Sequence, residues 1–302
     1  MNITFNQLKI FEKVAELKSV TKASEALFLT QPAVSIQLKK LEEQFDIPLF
    51  ELVGRQIYIT PFGENVLQSA QTILRETDQL KYKTLQHKGI LSGKLKISIV
   101  STAKYIMPYL ISDFMNKYSG IELSMDVTNR SSVIEHLKNN EVDFALISVM
   151  PVEVELEEFQ LMDNELYLVG KTNPFPQQLE LKKAQLENLP FIFREKGSAT
   201  RMAMTKFLKD QEIEVHKSLQ LTSNEAVKQA LMAGLGYSVM PKIGISNALT
   251  TSKLVVIPYP GLPIKTKWRL VWLKNKKLSL TAQRLLTELK QNKEQILAKQ
   301  FN

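Results

Sequence analysis

The chain has 302 residues, more than one hydrophobic core usually serves, so a small domain followed by a larger one is expected. Hydrophobic residues make up 44% and charged residues 23%, an ordinary soluble composition, and the absence of cysteine excludes disulfides, thiolate metal sites and thiol nucleophiles. The formal net charge of +8 invites a nucleic-acid reading, yet residues 1–90 hold 11 Lys/Arg against 10 Asp/Glu while residues 265–302 hold 10 against 2, so charge alone does not point to the N-terminus.

The opening residues, MNITFNQLKIFEKVAE, lack the continuous apolar run of a signal peptide, and no stretch reaches the length of a membrane span; a cytoplasmic protein without membrane contact is expected. Leu8, Phe11, Val14 and Ala15 form an apolar stripe on a first helix from about Thr4 to Leu17. Thr21 is expected to cap a short second helix with Ala23, Ala26 and Leu27 inward. After a turn at Phe28-Leu29, Thr30 offers a cap to a third helix, Pro32 sits in its first turn, and Val34, Leu38 and Leu41 face the core. Gln31, Ser35, Gln37 and Lys39 then point away, side chains able to hydrogen-bond bases or phosphates; the pattern alone serves a solvated amphipathic helix equally well. Residues 47–50, a turn at Val53-Gly54-Arg55 and an alternating run to Thr60 predict a two-stranded wing, with Arg55 at its tip suited to a minor groove or a phosphate.

In order, LTQPAVSIQLKKLEEQF, PLFE, GR and ITPFGE resemble the head of LysR-type regulators over about residues 5–65. The resemblance implies double-stranded DNA as partner, with Thr30, Gln31, Pro32, Ser35, Gln37, Lys39 and Arg55 as its contacts. Two positions depart from the family's habit: Leu52 stands where a basic residue is usual and Ile36 where Arg is frequent.

From Pro61 to about Lys88 one helix can run unbroken. Ile59, Val66, Ile73 and Leu80 repeat every seven residues beside a small-residue row of Gly63, Ala70, Thr77 and Thr84, the pattern of a two-helix seam. At 1.5 Å per residue the helix would span roughly 40 Å, so dimerisation is expected; packing along the chain's own C-terminal domain is the alternative. Gly89 and Gly93 look like a hinge.

Beyond Lys94 short apolar strands (95–100, 123–127, 144–147, 166–170, 191–193, 237–240, 269–273) alternate with helical stretches, an α/β pattern. The segments LKISIVSTAKYIMPYLISDFMNKYSGIELSMDV and VIEHLKNNEVDFALI resemble the same family's regulatory domain, which implies a periplasmic-binding-protein-like fold of two subdomains with a ligand between them. The expected whole is α+β: a winged helix-turn-helix at 1–60, a dimerisation linker helix at 61–88, and an effector-binding domain at 89–302. Its subdomain I covers about 94–162 and 266–302, and subdomain II about 163–265.

Hydroxyls and free amides at helix starts suit an anion, which singles out Ser101 and Thr102, then Ser198 and Thr200 with Arg194 and Arg201 nearby. Thr128, Asn129 and Thr222 join them as candidates, with Ser223 and Asn224 secondary; simple helix capping or structural ion pairs would explain any one alone. The stretch FIFREKGSATR resembles a subgroup including regulators of carbon fixation and sulfur assimilation, which implies a small anionic metabolite or oxyanion as effector and no cofactor. Neither a GxxxxGK loop nor an HExxH motif is present, and His87, His136 and His216 share no motif, so an enzyme is not expected. The family resemblance further implies a homodimer or homotetramer and RNA polymerase as a partner.

Overall fold

A computed structural model of the chain describes all residues except 1, 55, 87–90, 177–181 and 302; the side chains of 78, 79 and 81–86 are likewise outside it. Arg55, His87, Gly89 and the side chain of Thr84 therefore lie outside the described residues. The chain divides into two compact units, Met1–Leu91 and Ser92–Asn302.

The first unit starts with α1 (Phe5–Leu17), where Thr4 Oγ1 accepts from the Gln7 amide at 3.3 Å and Gln7 Oε1 accepts from the Thr4 amide at 2.8 Å. Ser19, not Thr21, caps α2 (Val20–Ala26): Ser19 is the last extended residue and its Oγ accepts from the Lys22 amide at 3.2 Å, while Thr21 is already inside the first turn. Phe28 closes the following turn at φ +56°, and Thr30 caps α3 (Gln31–Glu42) through the Ala33 amide at 3.4 Å, with Pro32 in the first turn. The wing pairs β1 (Phe50–Val53) with β2 (Gln56–Ile59) around Gly54 at φ +64°. Glu42 Oε1 accepts from the amides of Leu49 and Phe50 at 2.8 and 3.2 Å, tying the end of α3 to the wing. Leu8, Phe11, Val14, Ala23, Val34, Leu38, Leu41 and Leu49 form the core, each contributing roughly 1.5–3 kcal/mol of burial if large and aliphatic or aromatic.

Thr60 Oγ1 receives the Gly63 amide at 2.9 Å and donates to Pro48 O at 2.8 Å, so the wing sets where α4 (Pro61–Gln86) begins. The expected seam is redrawn here. Ile59 belongs to β2, and Gly63 lies against the Leu49 carbonyl and the Ile59 side chain with no room for a Cβ. Ala70 and Leu74 are buried in the head's own core, so the first two members of the small-residue row, Gly63 and Ala70, face inward because a close helix crossing needs them there. Ile73 and Leu80 remain exposed along α4.

In the second unit β3 (Ser92–Val100) runs parallel to β4 (Gly120–Thr128) and β5 (Phe144–Ile147), with α5 (Met107–Lys117) and α6 (Arg130–Lys138) between them. β6 (Leu156–Gly170) follows, then α7 (Lys183–Glu187), β7 (Pro190–Arg194), α8 (Ala199–Asp210), β8 (Lys217–Leu221), α9 (Asn224–Met232), β9 (Tyr237–Pro241), α10 (Lys242–Thr250), β10 (Val255–Val256), β11 (Ile264–Leu273) and α11 (Leu280–Phe301). The strand order β4-β3-β5-β11-β6-β9-β7-β8, with β10 on β6, joins two α/β lobes. The join is the antiparallel pair β6 and β11, in register from Leu156↔Leu273 to Leu166↔Ile264 with an irregularity at Trp268/Arg269. β11 borders β5 at one end and β6 borders β9 at the other.

These two strands extend well before the stretches expected at 166–170 and 269–273, since their first halves carry Glu, Asp or Lys on the solvent face and read as polar. Gly93, expected at a hinge, lies within β3 opposite Ile121.

Candidate functional site

On α3 the buried residues Val34, Leu38 and Leu41 leave Gln31, Pro32, Ser35 and Lys39 exposed and Gln37 half-buried. Thr30 is exposed, but its hydroxyl is occupied by the helix cap. Ile36 and Leu52 are exposed as well, so the head presents hydrocarbon at both positions. The outward face of α3 thus mixes amide, hydroxyl, ammonium and apolar groups, chemistry that is able to meet base edges and phosphates.

The second site gathers at strand ends and helix starts. β3 ends at Val100, which puts Ser101 beside Arg194 at the end of β7 and Asn224 at the start of α9. Ser101 Oγ accepts from Arg194 Nη2 at 3.2 Å and from Asn224 Nδ2 at 3.1 Å. Both partners are only 3% exposed. Arg194 also donates through Nε and Nη2 to the carboxylate of Glu195, at 2.8 and 2.9 Å. Its Nη1 and the Oδ1 of Asn224 are buried with no hydrogen-bond partner. The sequence marks Arg194 readily, whereas nothing local marks Glu195, its immediate neighbour in FREKG, as the partner of the guanidinium.

Ser198 is buried and caps α8, its Oγ accepting from the Arg201 amide at 3.4 Å, and Thr200 is buried in the same first turn. Gly197 holds φ +88°, and a Cβ there would stand 2.7 Å from Ser131 Oγ, so the turn before α8 lies against the start of α6. There Asn129 Oδ1 accepts from the Ser132 amide at 3.0 Å. Thr128 is half-buried at the end of β4, and Thr102 is buried ahead of a single 3₁₀ turn (Ala103–Tyr105) rather than at the start of an α-helix. Thr222 is exposed; Ser223 takes the capping role, accepting from the Ala226 amide at 3.0 Å, and Asn224 moves from a secondary candidate to the centre.

Arg201 does not join the cluster. Its Nη1 donates to Arg194 O and Gln220 Oε1, both at 2.6 Å, and its guanidinium covers the Phe193 ring at 5.4 Å. Of the two roles the sequence leaves open for Arg201, these contacts are the structural one: they lock the end of β7. Close by, the Tyr105 hydroxyl donates to Glu225 Oε2 at 3.5 Å; burial holds this phenol above its ordinary value, Lys228 opposing and Glu225 adding to the rise. Hydrogen bonds from Lys228 and Gln229 hold the Glu225 carboxyl below its ordinary range.

Two family models match the chain: "Bacterial regulatory helix-turn-helix protein, lysR family" over residues 5–64, and "LysR substrate binding domain" over residues 88–294. The chain is 38% identical over 283 residues to the RuBisCO operon transcriptional regulator of Allochromatium vinosum, covering 93% of this chain and 94% of that one. It is 34% identical over 289 residues to the HTH-type transcriptional activator CmpR of Synechocystis sp., covering 95% of each. The solved Synechocystis CcmR regulatory domain in complex with 2-PG superposes with a TM-score of 0.62 at 32% identity, covering 70% of this chain and 99% of that one.

Proposed function

The chain belongs to the LysR family of DNA-binding transcriptional regulators, and from that premise we propose that Ser101, Arg194 and Asn224 hold a small anionic effector that sets its grip on operator DNA. One observation carries this reading. Arg194 Nη1 and Asn224 Oδ1 are orphaned on either side of one serine hydroxyl, and each buried unpaired group costs about 1–3 kcal/mol. An effector that offers an oxygen to the guanidinium and a hydroxyl or protonated acid to the amide oxygen removes both costs.

Glu195 already balances much of the Arg194 charge, so the remaining attraction for an anion comes from the amides that open α6, α8 and α9. In this reading Asn129, Ser198, Thr102, Thr128 and Thr200 belong to the effector's surroundings, and Thr222, which is exposed, to their rim.

The likeness to RuBisCO operon regulators, and to a CcmR domain that holds 2-PG, supports carbon-fixation genes as targets and 2-PG as the first effector to try. The working unit in this reading is a cytoplasmic homodimer paired through Ile73 and Leu80 of α4, assembled further into a tetramer that meets RNA polymerase at the promoter. Among the described residues no helix is long and apolar enough to cross a membrane.

The test is calorimetric titration of the full chain with 2-PG, inorganic phosphate and glycolate. Saturable binding of one of them that is lost in both Asn224→Ala and Ser101→Ala supports the site. Binding that survives both variants moves the effector elsewhere, and no binding by any of the three sinks the effector class.

A further inference from the structure

α3 turns by about 100° per residue. With Val34, Leu38 and Leu41 buried, the middle of its outward face falls on Pro32, Ile36 and Lys39, flanked by Ser35 and Lys40. Ile36 is 54% exposed there, so it serves no core. A β-branched hydrocarbon is also a poor choice for the solvent face of a helix, where a straight polar chain gains more helix propensity and loses no hydration. Its neighbours around that face are Ser35, which hydrogen-bonds, and Lys39 and Lys40, whose charge complements phosphate.

We infer that Ile36 is a specificity-determining residue that reads the 5-methyl group of thymine in the major groove. Thymine is the one base presenting an apolar group there. A side chain branched at Cβ and held by an ordered helix beside hydrogen-bonding groups can displace water from that methyl and has nothing to offer a guanine or cytosine edge. Selectivity then arises from burial, not from a hydrogen bond, and is worth roughly fourfold in affinity per methyl covered. The inference rests on α3 being the element that meets the operator.

The experiment uses the full-length protein. An operator is recovered by selection from a randomised duplex library, and each thymine in it is replaced in turn by uracil, which keeps base pairing and removes only the methyl. Wild type should lose about fourfold in affinity at one or two thymines per half-site, and Ile36→Ala should be indifferent to the same replacements while melting at the wild-type temperature. Should Ile36→Ala bind too weakly to scan, Ile36→Val, which withdraws one methyl, replaces it and should show a reduced uracil penalty at those positions. Equal uracil penalties in wild type and variant at every thymine, or none in wild type, overturn the inference. If wild type enriches no sequence at all, it is the assignment of α3 to the operator that fails.

Discussion

Arg194 Nη2 stands 3.2 Å from Ser101 Oγ, and the two residues come from the two lobes that β6 and β11 join. The hydroxyl is therefore a shared acceptor that holds two buried donors, Arg194 and Asn224, in place. Ser101→Ala leaves both without it; the expected cost is about 1–3 kcal/mol in the ligand-free protein, with effector affinity reduced at least tenfold. Chemical denaturation and calorimetry read the two effects separately. Unchanged affinity would show that the serine orders nothing the effector uses.

Gly197 supplies the second prediction. Any side chain there meets Ser131 and also demands a left-handed backbone, so Gly197→Ala should cost about 1–2 kcal/mol and weaken effector binding. Adding Ser131→Gly opens the space but leaves the backbone term, so stability should recover only in part. Full recovery in the double variant would mean that the positive φ carries no cost.

The exposed row on α4 gives a third. Ile73→Asp and Leu80→Asp alter side chains that the head's core does not use. The double variant should sediment as a monomer at micromolar concentration and keep the helical circular dichroism of wild type. A dimer that persists in sedimentation velocity would place the interface elsewhere.

A pH dependence follows from the contact between α5 and α11. Tyr118, Lys117 and Arg284 all donate to Glu288 Oε1, at 2.6, 2.9 and 2.9 Å. Burial alone would raise the Glu288 carboxyl, but these donors outweigh it and hold the group below its ordinary range. A carboxyl depressed in the folded state adds stability above its unfolded value and loses it as pH falls through the folded one. Wild type should thus exceed Glu288→Gln in stability at neutral pH, and the gap should close on acidification below the usual glutamate range. Urea melts from pH 7 to pH 3 measure it; a gap that is constant with pH would assign the effect to packing.

The head was legible because its signals are local. Thr30, Pro32 and the Val34, Leu38, Leu41 stripe lie within one helix and its cap, and each acts through neighbours three or four residues away. The Ser19 cap is hard to read for the same kind of reason, since Ser19 and Thr21 both belong to the favoured capping types and the backbone angle decides between them. In the cleft the sequence offered Ser101 and Arg194 as separate candidates, but the contact between them spans 93 residues and no local pattern encodes it. Asn224 was underrated because its importance comes from where α9 begins in space. The row of Gly63 and Ala70 misled because small residues every seven positions serve a crossing within a chain as well as one between chains.

The paired strands β6 and β11 have a consequence for how the second unit comes apart. Each lobe borrows one edge of its sheet from this ladder, β5 leaning on β11 and β9 on β6. Neither lobe owns a complete set of strands, so melting one strips hydrogen bonds from the border of the other. The 92–302 unit should accordingly lose its structure in a single cooperative step, with the amides of Met162, Leu166 and Leu270 among the last to exchange with solvent.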